Sequence, residues 1–167
     1  MNNQTKSREE NSLKVLFVCT GNTCRSPMAQ AIAEKLQSED AQLPSIKYCS
    51  AGLMAFEGDS ISPLAVRVLS ESGIDFSQHQ AHRLTSEMLA QADLILTMTN
   101  AQRNALLELD DSQIAKTFVL NRYINVEPVD IADPFGGSEE TYRQTANALH
   151  NSIGELLEKF KNSLAQD

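Results

Sequence analysis

Cysteine, positive charge and long apolar runs are what this sequence has least of. It holds three cysteines, Cys19, Cys24 and Cys49. An odd, sparse set of thiols excludes the disulfide framework of a small secreted scaffold. No stretch approaches the ~20 apolar residues of a bilayer span. The opening MNNQTKSREENS has no apolar h-region and does not read as a signal peptide. The expected setting is the cytoplasm, with the thiols reduced. The formal net charge is -8, so the surface as a whole repels polyanions. Nucleic acid and anionic membranes are thereby excluded as general partners. Any anion site must come from local geometry.

What is present is a chain of ordinary globular make-up. Its 167 residues, 41% of them hydrophobic, suit one domain of the usual ~100–200 residues. That domain is expected over residues 13–167, after a flexible polar lead-in at 1–12. Residues 14–18 (KVLFV) form a β-branched and aromatic run of the kind found in a buried parallel strand. A glycine-containing loop, Cys19 to Ser26, follows at once. Pro27 suits the first turn of a helix, where its missing N–H is not needed. Met28, Ile32 and Leu36 mark one face of that helix to about residue 38.

The order then repeats. Residues 46–49 read as a second strand, with Cys49 in the core. Pro63 opens a helix that Gly73 stops, and Thr85 or Ser86 caps a short one. Residues 93–98 are a third strand, Asn100 caps a helix to about Leu109, and residues 118–120 are a short fourth strand. A loop covers 124–137, and a last helix runs from about 138 to 164. Alternating strands and helices predict an α/β protein, a three-layer α/β/α sandwich built on a parallel sheet. Ligands of such sheets bind beyond the carboxyl ends of the strands, which is where Cys19 falls.

The loop Cys19-Thr-Gly-Asn-Thr-Cys-Arg25-Ser26 carries the chemistry. A cysteine and an arginine at this spacing mean little by themselves; across a strand-to-helix turn containing Gly21 they mean much more. A tight loop aims successive backbone N–H groups inward as an anion nest. A helix N-terminus adds partial positive charge and free donors. Arg25 offers a planar fork that matches two phosphate oxygens. The same field favours a thiolate, so Cys19 is expected to be ionised and ready for in-line attack. Ser26 is placed to hydrogen-bond the Cys19 sulfur. Cys24 lies in the same loop, where it can capture an oxidised Cys19 as a reversible disulfide.

Breaking phosphorus from its leaving atom requires a proton donor. The segment Asp130-Ile-Ala-Asp133-Pro-Phe-Gly-Gly offers two carboxylates, and spacing does not choose between Asp130 and Asp133. Whichever acts as the acid can then activate water for the second step. Phe135 is a candidate wall of the pocket.

These residues bring a known family into view. The motifs VLFVCTGNTCRSPMA, SAG at Ser50–Gly52 and DPFGG at Asp133–Gly137 make residues 13–165 resemble the low-molecular-weight protein tyrosine phosphatases. The resemblance implies a four-stranded parallel sheet, a cysteinyl-phosphate intermediate, no metal and no cofactor. It implies Cys19 as nucleophile, Arg25 as phosphate clamp and Asp133, not Asp130, as the acid. Thr20, Gly21, Asn22, Thr23, Cys24 and Ser26 would cradle the phosphate. It also implies a hydrogen-bond network of Asn22, Ser26, Ser50 and His79 that shapes the loop, and it makes disulfide capture by Cys24 a family trait.

Two departures bear on the substrate. Tyrosine-directed members usually carry a bulky aliphatic residue where Thr23 stands, and tyrosines where Phe135 and Gly136 stand. Both features are similar to the bacterial protein-arginine phosphatases of the family. A hydroxyl at Thr23 beside the leaving nitrogen, and a carboxylate at Asp133 facing a guanidinium, give that likeness a physical reason. The leading expectation is therefore a phosphoarginine phosphatase, and the first alternative is a tyrosine phosphatase with the same machinery. An arsenate reductase of this fold would need further redox cysteines near residues 85–100, and none occurs there. A pure binding module would need neither nucleophile nor acid. The expected partners are phosphorylated proteins, with inorganic phosphate as product, acting on a monomer.

Overall fold

The strand that leads into the phosphate loop is the second in a sheet of four. In the computed structural model, which describes residues 12–164, the sheet order is β2-β1-β3-β4 with every pairing parallel. The strands are β1 (Leu13–Cys19), β2 (Ile46–Gly52), β3 (Leu94–Thr97) and β4 (Thr117–Val119). The helices are α1 (Arg25–Ser38), α2 (Pro63–Glu71), α3 (Ser86–Gln91), α4 (Asn100–Leu109), the single turn α5 (Leu120–Tyr123) and α6 (Glu139–Leu164). A 3₁₀ turn spans Asp111–Lys116 between α4 and β4. The lead-in expected at 1–12 lies outside the described residues except for Ser12, as do residues 165–167.

Alternation along β1 assigns its side chains to two cores, one on each face of the sheet. Val15 and Phe17 point into a cluster with Met28 and Ile32 of α1, Leu69 of α2, and Leu149, Ile153 and Leu156 of α6. Leu16 and Val18 point into a smaller cluster with Leu89 of α3, Ile95 of β3 and Leu106 of α4. The result is the expected three-layer α/β/α sandwich. Burying each of these large side chains is worth about 1.5–3 kcal/mol, which holds β1 firmly between the two cores.

Several boundaries differ from the sequence reading, each for a local reason. Helix α1 begins at Arg25, two residues before Pro27, so that proline sits within the first turn. The cap of α4 is Thr99, whose side chain accepts from Gln102 N while the Gln102 side chain accepts from the Thr99 backbone, a reciprocal capping box. Thr85 rather than Ser86 caps α3. Leu120, expected at the end of β4, starts α5 instead. Gly73 ends α2 as expected, with φ +71 and its N–H on Ser70 O. Cys49 is exposed, not in the core. It shares the face of Leu16, but β2 is an edge strand and the helices of that side do not reach over it. Among the described residues no helix is long and apolar enough to cross a membrane.

The chain passes from β1 outward to β2 and then crosses to β3 on the other side of β1. That reversal opens a crevice beyond the carboxyl ends of β1 and β3. Cys19 ends β1 at that crevice.

Candidate active site

The turn out of β1 is built on one residue with unusual backbone geometry, and it is Asn22, not Gly21. Asn22 has φ 55 and is fully buried. Asparagine tolerates this left-handed region better than other residues with a side chain. Gly21 has no such requirement; a Cβ there would meet Thr23 Oγ1 at 3.6 Å, an ordinary contact. The glycine that the loop does need is Gly52, at the end of β2. A Cβ at Gly52 would lie 2.7 Å from Thr20 O and 2.9 Å from Asn22 N. Next to it, Leu53 N donates to Cys19 O (3.0 Å) and Met54 N to Thr20 O (2.9 Å). The SAG motif is thus a backbone platform on which the loop rests.

Cys19 is almost wholly enclosed. Its Sγ accepts the Asn22 N–H at 3.3 Å and lies 2.9 Å from Ser26 Oγ. Asn22 Nδ2 donates to the same Ser26 Oγ at 2.8 Å, and Asn22 Oδ1 accepts the His82 N–H at 2.9 Å. His79 Nε2 lies 3.1 Å from Asn22 O. A carbonyl can only accept, so Nε2 carries the proton. Burial lowers the pKa of His79 from its ordinary value, which favours the neutral ring. Phe76 stacks on that ring at 5.3 Å and His82 meets it edge-on at 6.4 Å. Asn22, Ser26 and His79 are therefore joined as expected, whereas Ser50 stands apart: its Oγ donates to Gln30 Oε1 on α1 at 2.8 Å.

The network includes residues the sequence reading did not name. Gln102 is buried and donates from Nε2 to Thr20 Oγ1 at 3.2 Å, while its Oε1 accepts from Met98 N and Thr99 N. The Thr99-x-x-Gln102 spacing of a capping box was the available signal. Behind the loop, Tyr142 of α6 places its hydroxyl 3.3 Å from Cys24 Sγ and accepts from Ser62 Oγ at 3.1 Å. Ser62 N in turn donates to Thr23 O at 2.9 Å. Burial pushes the Cys24 thiol pKa up, partly opposed by its contacts with Tyr142 and Thr23. No local pattern ties Tyr142 to a loop so distant in sequence.

Arg25 and Asp133 face each other across the crevice. Arg25 is buried; its Nη1 donates to Ile131 O at 3.1 Å and its Nη2 lies 3.1 Å from Asp133 Oδ2. Asp133 is half exposed, and its Oδ1 accepts the Phe135 N–H at 3.1 Å. Asp130 is committed elsewhere: its Oδ1 accepts from Asn100 N (2.8 Å) and Asn100 Nδ2 (3.3 Å) at the start of α4. The two carboxylates that spacing could not separate therefore have different positions and partners.

Cys19, Thr20, Gly21, Thr23, Cys24, Arg25 and Asp133 line one cleft of about 400 Å³, with Met54, Phe56, Asp59 and Phe135 toward its mouth. Met54, Phe56 and Phe135 are all exposed. The backbone N–H groups of Gly21, Thr23, Cys24, Arg25 and Ser26 carry no hydrogen bond among the described residues. Such a cup, at the start of a helix and beside a guanidinium, can seat a tetrahedral oxyanion over the sulfur.

Comparison with known proteins agrees with this geometry. The family model for low molecular weight phosphotyrosine protein phosphatase matches residues 14–166. A protein-arginine-phosphatase of Geobacillus stearothermophilus is 40% identical over 148 residues, covering 89% of this chain and 96% of that protein. A probable low molecular weight protein-tyrosine-phosphatase of Ralstonia nicotianae is 42% identical over 147 residues, covering 88% and 95%. Among solved structures, an arginine phosphatase from Geobacillus stearothermophilus superposes with a TM-score of 0.86 at 39% identity, covering 92% of this chain and 96% of that one.

Proposed function

This chain belongs to the low molecular weight phosphotyrosine protein phosphatase family, and from that premise we propose that it removes phosphoryl groups from arginine side chains of proteins, with Cys19 as nucleophile, Arg25 as clamp and Asp133 as acid. Phosphoprotein phosphatase activity comes with the family; the substrate and the roles of the residues are the proposal. The phosphoryl oxygens sit in the cup of N–H groups of Gly21, Thr23, Cys24, Arg25 and Ser26 and against the Arg25 fork. The Cys19 thiolate attacks phosphorus in line, the bond from phosphorus to the guanidino nitrogen breaks, and Asp133 passes its proton to that nitrogen. The Asp133 carboxylate then takes a proton from water. The water oxygen attacks phosphorus, the phosphorus–sulfur bond breaks and inorganic phosphate leaves. The Ser26 hydroxyl receives a hydrogen bond from Asn22; of its two acceptors, Ala51 O at 3.5 Å and the Cys19 sulfur at 2.9 Å, the nearer is the sulfur, where its hydrogen stabilises the departing thiolate. The enzyme is read as a cytoplasmic monomer.

The observation that carries the arginine reading is the lining of the cleft beside Asp133. Thr23 contributes a hydroxyl there, where a large aliphatic side chain would contribute only bulk. Phe135 is followed by Gly136 at φ +75, a conformation that a tyrosine at 136 would rarely adopt. One observation favours the alternative, phosphotyrosine: the exposed apolar mouth of Met54, Phe56 and Phe135 suits an aromatic ring. Phosphate release from phosphoarginine, phosphotyrosine and phosphoserine peptides, measured side by side, separates the two. The expected result is a phosphoarginine preference that shrinks by at least about tenfold in Thr23→Ile, since a polar group selects through specific contacts. Equal preference in both enzymes would reject Thr23 as the selector, and a wild-type preference for phosphotyrosine would reject the arginine reading.

A further inference from the structure

The turn at residues 53–60, which forms one lip of the cleft, carries two acids with opposite fates. Glu57 is engaged: its Oε1 lies 2.7 Å from His82 Nδ1 and its Oε2 accepts the Arg83 N–H at 2.9 Å. Those two donors hold its pKa below the ordinary carboxylate value, the Arg83 amide contributing most. Asp59, two residues on, lines the cleft. Among the described residues its carboxylate has no hydrogen-bond donor and no cation. Its backbone is nonetheless held on both sides. Asp59 N donates to Phe56 O at 3.2 Å across Gly58, which is at φ +86, and Asp59 O accepts the Ala81 N–H at 2.7 Å. Ala81 O accepts the Gly58 N–H at 2.8 Å, and Ser60 forms an antiparallel bridge with Gln80. A carboxylate is thus kept at the lip by a fixed backbone, with no partner among the described residues.

The charge along the cleft is graded. Arg25 is the single cation among the lining residues, and it is at the floor, already paired with Asp133. Of the three residues by which the lip lines the cleft, Met54, Phe56 and Asp59, only Asp59 is polar. A phosphate group entering the cup meets positive potential, while whatever is attached to that phosphate meets an uncompensated negative charge. A phenol gains nothing from that charge, and a second anion near the phosphate is repelled by it. A phosphorylated guanidino group keeps a delocalised positive charge, and is attracted.

We propose that Asp59 is a specificity-determining residue that recognises the positive charge of the group bearing the phosphate, and so selects a guanidinium over a phenol. This rests on the arginine reading of the site and adds to it a second contact, in the same cleft as Asp133. Asp59 acts on substrate charge, not on the protonation steps. Its effect therefore falls on kcat/KM through KM and is weakened by salt, because exposed charges are screened within about 8 Å at physiological ionic strength.

The test measures kcat/KM for matched phosphoarginine and phosphotyrosine peptides with the wild-type enzyme, Asp59→Asn and Asp59→Lys, at low and high salt. For Asp59→Asn the phosphoarginine value should fall about three- to fivefold, the scale of one exposed ion pair, while the phosphotyrosine value rises. Asp59→Lys should widen that split, and high salt should narrow it. Opposite changes on two substrates cannot come from a damaged fold, and the near-isosteric Asp59→Asn decides the matter if Asp59→Lys does not fold. A parallel fall on both substrates, or no change on either, would overturn the role of Asp59 while leaving the arginine reading intact. A wild-type enzyme that does not turn over phosphoarginine would instead overturn the arginine reading itself, and this inference with it.

Discussion

Asn22 Nδ2 donates to Ser26 Oγ across 2.8 Å, and that bond leaves the serine hydroxyl to act as a donor. With one lone pair of Oγ occupied by Asn22, its hydrogen has two acceptors, the Cys19 sulfur at 2.9 Å and the more distant Ala51 O at 3.5 Å. The same asparagine holds the left-handed turn of the loop and takes the His82 N–H. Asn22→Ala would lose two side-chain bonds and place alanine at φ 55. A loss of about 2–4 kcal/mol in stability is expected, together with a fall in kcat larger than any change in KM. Denaturant unfolding and steady-state kinetics check both; a variant with wild-type kcat would separate Asn22 from the chemistry.

Gly52 predicts an effect that is entirely steric. A methyl group at this position would come within 2.9 Å or less of Thr20 O, Ala55 Cβ and Asn22 N, and two of those three atoms are backbone of the loop. Gly52→Ala should cost about 1–3 kcal/mol, the usual penalty of overpacking, and should lower kcat by displacing the loop. Gly21→Ala, whose Cβ meets only an ordinary contact, should be far milder. Equal thermal midpoints for the two variants would contradict this account of the platform.

His79 gives the folded state a pH dependence of known sign. Burial, the largest cause, lowers its native pKa, so in the window below about 6.5 the unfolded chain binds more protons than the native one. The stabilisation is complete above that value and is lost as the pH falls toward the lowered native pKa. The difference in thermal midpoint between wild type and His79→Gln should therefore diminish from pH 7 to pH 5. The exposed carboxylates whose pKa values are lowered, such as Glu57 and Asp75, lose their stabilisation at lower pH, and they do so in both proteins. Parallel curves would show that His79 does not carry this dependence.

Cys24 lines the same cleft as Cys19, and its thiol is held protonated by burial. When peroxide converts the Cys19 thiolate to a sulfenic acid, attack by Cys24 sulfur forms a disulfide and expels water. Added dithiol should then restore activity in the wild type. Cys24→Ser should be inactivated without recovery, since its sulfenic acid oxidises further. Recovery of the variant to the wild-type level would remove this role.

The sequence was most informative where chemistry and local geometry coincide. Strand β1, the Cys19–Ser26 loop and the start of α1 form one continuous segment, so apolar pattern, loop and helix start could be read together. Residues that support the site from a distance were harder to see. Tyr142, Glu57 and His82 reach the loop or its lip only because α6 and the 75–84 segment pack there, and no periodicity records such a contact. Gly21 drew attention because glycine is the usual loop residue, yet the strained φ went to Asn22 and the steric demand to Gly52. Cys49 looked buried because strand pattern reports alternation, not whether a strand is at the edge. Spacing alone left Asp130 and Asp133 open; the family resemblance pointed to Asp133, and no sequence pattern showed that Asp130 accepts hydrogen bonds from Asn100 at the start of α4.

The central claim is that phosphate passes through the sulfur of Cys19, and the most direct measurement is to catch it there. Asp133→Ala should be mixed with phosphoarginine peptide, quenched in acid within the first turnover and digested for mass spectrometry. Up to one equivalent of phosphate is expected on the peptide containing Cys19, formed more slowly than in the wild type for want of the acid and persisting for want of the base. Rapid hydrolysis by Cys19→Ala, or phosphate carried by any residue other than Cys19, would contradict it.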